Sequence, residues 1–72
     1  MSRLRDMLYT SAIADKAKAL LTLELLDKNP AGIGDQSTED FYKNAEEALA
    51  MLADADDKLE AIEKYLVKKQ VI

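Results

Sequence analysis

Seventy-two residues with 10 basic and 14 acidic side chains give a net charge of −4, which disfavours non-specific grip on a phosphate backbone or an anionic membrane. There is no cysteine and no histidine, so disulfides, thiolate chemistry, imidazole ligation and His-based acid–base catalysis are excluded. One domain at most fits this length, and a chain so short buries only ~60% of its unfolded surface.

Met1-Ser2-Arg3 leads into a charged helical pattern rather than an apolar leader, and the apolar runs are short. No signal peptide or spanning segment is expected, and the default location is cytoplasmic. Residues 2 to 28 form the first predicted helix. Ser2 can cap its start, and Asp27-Lys28-Asn29-Pro30 stops it, because proline cannot continue the ladder and pushes the preceding residue out of the α region.

The apolar residues of this helix make two arcs. Leu4, Leu8, Ala12, Ala19, Leu23 and Leu26 share one direction, while Met7, Ile13, Ala14, Ala17, Leu20, Leu21 and Leu25 fill a broad arc opposite. A helix that is apolar on two sides has two surfaces to pack against. One can be a second helix of the same chain, and the other is most simply a second copy. Between the arcs runs a polar line of Ser11, Asp15, Lys18 and Thr22. Asp15 and Lys18, three residues apart, can pair. The line is either a solvated strip or a polar groove between protomers.

Residues 29 to 36 are the expected turn, Asn-Pro-Ala-Gly-Ile-Gly-Asp-Gln, and hold both glycines of the chain. Their length is enough for an αα-hairpin to reverse direction, and Ile33 is expected to plug the end of the bundle. The second helix is expected from Ser37 or Thr38 to about Lys69. Ser37-Thr38-Glu39-Asp40 has the character of a capping box, and Lys64, Lys68 and Lys69 suit the far end of the dipole. Val67, Val71 and Ile72 would give an apolar C-terminal tip.

Along this second helix Phe41, Ala45, Ala48, Leu52, Ala55, Leu59, Ile62 and Leu66 recur at spacings of 4, 3, 4, 3, 4, 3 and 4. That is a heptad seam, and it predicts that the helix lies along another. Its alanines let the facing helix come close, and large-against-small layering suits an antiparallel hairpin. The fold class that follows is all-α: a single domain spanning residues 1–72, an antiparallel two-helix hairpin that assembles into a homo-oligomeric helical bundle.

Chemistry-bearing clusters are few. Asp54-Ala55-Asp56-Asp57 is the densest acidic group, but it lies mid-helix without the glycine and alternate ligands of a calcium loop. Gly32-Ile33-Gly34 before a helix start lacks the Lys-Ser/Thr pair of a phosphate loop, and Asp35, Glu39 and Asp40 would repel an anion. No nucleophile–base pair, metal ligand set or cofactor motif is present. A non-catalytic protein without a cofactor is expected.

The positive and aromatic side chains are more suggestive. Arg3, Arg5, Tyr9 and Lys18 fall in the first helix, with Tyr42 at the start of the second and Tyr65 near its end. An antiparallel hairpin returns Tyr65 towards Arg3, Arg5 and Tyr9. Tyrosines beside guanidinium groups suit a phosphorylated, stackable ligand. They suit a protein interface equally well.

Two stretches carry a resemblance. Leu26-Asp27-Lys28-Asn29-Pro30-Ala31-Gly32-Ile33-Gly34-Asp35 and Ala53-Asp54-Ala55-Asp56-Asp57-Lys58-Leu59-Glu60-Ala61 look similar to small helical-hairpin accessory proteins of large tailed bacteriophages. Those pair an Asn-Pro-x-x-Ile-Gly-acidic turn with a late Ala-x-Asp-Lys-Leu segment. The likeness covers about half the chain, and its motifs are structural. The family's turn often has a histidine after the acidic residue; Gln36 stands there in this sequence, so no role for that side chain carries over. The resemblance implies a small viral accessory protein acting on host machinery in the host cytosol.

Two functional expectations follow. One is a counter-defence sponge, an oligomer that sequesters an anionic cyclic nucleotide between protomers through Arg3, Arg5, Tyr9, Lys18 and Tyr42 or Tyr65. The alternative is a protein–protein interaction module that binds a host protein through its helical surface. Neither calls for a nucleic-acid polymer or a membrane.

Overall fold

The computed structural model describes residues 3–28 and 38–67. Helix α1 spans Arg3–Lys28 and helix α2 spans Thr38–Ile62; a π-helical turn, Glu63–Val67, extends α2. The expected turn at 29–36, its two glycines, the Ser2 and Ser37 caps and the tip at Val71 and Ile72 lie outside the described residues. The described elements are all helical, and none is long and apolar enough to cross a membrane.

The two helices run antiparallel. Arg5 and Tyr9, near the start of α1, share a groove with Ile62 and Glu63, while Leu25 and Leu26 near its end lie beside Asn44 and Ala48. The result is a rod of 56 × 19 × 15 Å, one helix pair thick.

On α2 the heptad seam is the packed face. Ala48, Ala55 and Ile62 are buried, and Phe41, Ala45, Leu52 and Leu59 are half-buried. The eighth seam position departs: Leu66 remains 47% exposed. A π turn takes more residues per revolution than an α turn, so a side chain four residues after Ile62 no longer returns to the α-helical stripe. The α-helix expected to continue to Lys69 therefore gives way to a wider turn after Ile62.

The packed face of α1 is centred on Ala12 and Ala19, both buried, with Arg5, Asp15, Lys16, Thr22, Leu23 and Leu26 half-buried around them. Among the described residues, four of the five buried apolar side chains are alanines, and no large side chain is fully enclosed. An antiparallel register sets Ala12 level with Ala55 and Ala19 level with Ala48, so the axes can close to about 8 Å. Leu4 and Leu8, expected on this arc, are exposed.

Against α2, then, α1 sets two alanines and two leucines together with arginine, aspartate, lysine and threonine. Its more apolar arc is left uncovered: Met7, Ile13, Leu20, Leu21 and Leu25 are all exposed, as are Ala14 and Ala17 between them.

Candidate functional site

The end of the rod where α1 begins carries most of the residues singled out from sequence. Arg5 leans towards α2, its Nε 3.8 Å from Asp6 Oδ1. Arg5, Asp6, Tyr9, Ile62 and Glu63 bound an open groove of about 390 Å³. Arg5 and Tyr9 are thus brought together, but with two carboxylates beside them. Arg3, two residues earlier in the helix, is exposed and does not join that lining. Tyr65 is also exposed and outside it; the Lys64 ammonium lies 5.4 Å from its ring centroid, a weak cation–π contact at a wet site.

The other two candidates stand apart. Lys18 borders a separate open groove of about 370 Å³ with Thr22, Asn44, Glu47, Leu25 and Met51. Tyr42, at the start of α2, packs edge-to-face on Phe41, with ring centroids 5.9 Å apart and planes at 67°. Tyr42 and Tyr65 are separated by roughly 35 Å of helix at ~1.5 Å per residue. No single ligand reaches all six residues on one hairpin. A site using Tyr9 together with Tyr42 needs a second copy.

The ion pairs differ from the one expected between Asp15 and Lys18. Lys16, the neighbour of that line, bridges the helices instead: its Nζ lies 3.1 Å from Asp56 Oδ1. On α2, Lys58 reaches back one turn to Asp54 Oδ2 at 3.1 Å, and at the end of α1 Lys28 meets Glu24 at 3.4 Å. The Asp54 hydrogen bond and charge hold the Lys58 ammonium above its ordinary pKa of 10.5, with Asp15 on α1 adding to the effect. Each partner in these three pairs keeps a large part of its surface in water, where solvent screens the attraction and such pairs hold a fold only weakly. Asp54 and Asp56 are therefore taken by different lysines, and among the described residues no three acidic groups converge on a metal position.

Sequence reasoning missed the Lys16–Asp56 bridge. Both residues flank the packed faces, but pairing them needs the hairpin register, which helical periodicity does not give.

Charge is divided between the helices. Helix α1 carries five basic and four acidic side chains, while α2 carries two lysines and eight acidic side chains. The inward positions of α2 are all apolar, so its carboxylates lie off the seam, Asp56 at its flank against Lys16 and Glu47 beside the Lys18 groove. No family model, curated protein or solved structure matches this chain.

Proposed function

We propose that this chain is a non-catalytic binding protein that assembles as an oligomer of hairpins and presents the acidic outer face of α2 to a basic surface on a partner protein. The division of charge carries this reading: α2 has six more carboxylates than lysines, and all its carboxylates are exposed, off its packed seam. A row of this kind steers and orients a partner of opposite charge. The likeness of the turn to accessory proteins of large phages supports a cytosolic host protein as that partner.

Affinity capture from host extract tests it, with the native chain beside an E46K/D57K/E60K variant whose three positions are exposed. The expected result is one retained protein that is lost in the variant and lost when salt is raised from about 0.1 M to about 0.5 M, where screening shortens the reach of exposed charges. Retention indifferent to both changes overturns the reading.

The groove that joins Arg5 and Tyr9 favours a second reading, the sequestration of an anionic cyclic nucleotide between protomers. Asp6 and Glu63 in the same lining weigh against it, because they repel phosphate and Asp6 already engages Arg5. Calorimetry against cyclic di- and oligonucleotides separates the two. Binding that disappears in R3E/R5E, with oligomer mass unchanged, would establish the nucleotide in place of the protein partner.

A further inference from the structure

The face of α1 turned away from α2 is the most apolar surface of the hairpin. Met7, Ile13, Leu20, Leu21 and Leu25 keep between 41% and 56% of their surface exposed. Between Asp6 and Glu24 the centre of that face carries no charge: Asp15 and Lys16 are half-buried on the packed side, and Lys18 borders the face beside Leu25. The outer face of α2, by contrast, is crowded with carboxylates. At roughly 200 Å² per fully exposed side chain of this size, the five leave on the order of 500 Å² per chain. Two such faces together reach about 1,000 Å², the lower bound for a specific interface.

We infer that this face is covered by the same face of a second copy, the two α1 helices packing antiparallel about a two-fold axis between Ala14 and Ala17. The proposal rests on the oligomeric part of the function proposed above and gives it a geometry. Along the middle of the face, positions 7, 10, 14, 17, 21 and 24 follow spacings of 3, 4, 3, 4 and 3, a pattern identical in both directions. An isologous antiparallel contact needs that symmetry, since each position must meet its own mirror position. The alignment sets Ala14 against the partner's Ala17 at the centre, where small residues allow close approach, and Leu21 against the partner's Thr10 on either side.

Charge at the ends selects the direction. In this register Arg3 stands level with the partner's Lys28, and Glu24 and Asp6 lie about one turn from the partner's Arg3 and the partner's Lys28, so each end gathers two basic and two acidic groups. Parallel packing would set each of these four charges level with its own copy, and the two helix dipoles would also align unfavourably. In the assembled pair the α1 helices are central, and the acidic α2 helices form the two flanks.

The chain has no cysteine, so a single D27C substitution, at an exposed position off the proposed contact, accepts one nitroxide per copy. Antiparallel packing places the two labels roughly 35 Å apart along the axis at ~1.5 Å per residue, and dipolar spectroscopy is expected to read that distance. A separation under about 20 Å means parallel packing and overturns the proposal, while the oligomeric reading survives. A17E, an exposed position in the hairpin, is expected to halve the mass measured by sedimentation, whereas A53E on the outer side of α2 leaves it unchanged. The reverse pattern means assembly through α2 and also overturns the proposal. If A17E fails to fold, the D27C distance still decides. A native chain that sediments only at 8.0 kDa overturns both the proposal and the oligomeric reading beneath it.

Discussion

Ala12, Ala19, Ala48 and Ala55 do at the residue scale what larger side chains do in most helical cores: they set how near the two axes come. Ala55 is 1% exposed and Ala19 likewise, so neither position has room for more atoms. A55L is expected to destabilise the hairpin by about 1–3 kcal/mol through overpacking, measured by urea denaturation followed at 222 nm. Unchanged stability would mean that the helices do not close at this level. Lys58 supplies a second check. Its pKa is raised by Asp54 in the folded chain, so the folded state holds this proton more tightly than the unfolded state. The resulting stabilisation is fully present below the ordinary lysine value of 10.5 and fades as pH rises through the folded value. K58M is expected to flatten that alkaline loss in a denaturation series from neutral to alkaline pH; an equally steep loss in K58M assigns it elsewhere.

At the scale of the elements, the two helices were unequally legible. For α2, periodicity alone picks out the packed face: the seven seam positions from Phe41 to Ile62 are its buried and half-buried residues. An apolar stripe bounded on both sides by charge leaves a helix one way to face. Leu66 departs because local backbone geometry, the π turn, breaks the count, and no residue pattern announced that. Paired substitutions separate the two cases. L52D, on the half-buried seam, is expected to cost about 3 kcal/mol or more by leaving a charge without a partner beside apolar atoms. L66D is expected to cost under about 1 kcal/mol. Equal costs would place Leu66 back on the packed face. For α1 the sequence shows two apolar arcs but does not rank them. The arc that meets α2 includes Arg5, Asp15 and Lys16 at half-buried positions, which hydropathy alone would have turned to water. The cross-helix bridge from Lys16 to Asp56 explains part of that choice. The site candidates divide likewise: Arg5 and Tyr9 meet because they are one turn apart on α1, and the antiparallel fold returns Ile62 and Glu63 to them, whereas Lys18 and Tyr42 lie at other levels of the rod.

At the scale of the whole molecule, one hairpin is an incomplete solution to its own sequence. Among the described residues of this rod, one helix pair thick, Ile62 is the only large side chain that is buried, and isolated small helical units without a fuller core are marginal. In the dimer proposed above, the uncovered arc of α1 supplies the missing burial, and the acidic exterior of α2 opposes further growth by like-charge repulsion. Sedimentation equilibrium of the native chain, run from about 1 to 100 µM with helicity followed in parallel, tests this most directly. The expected result is twice the 8.0 kDa chain mass, with mass and helicity falling together on dilution. A constant 8.0 kDa species with full helicity at every concentration would contradict it.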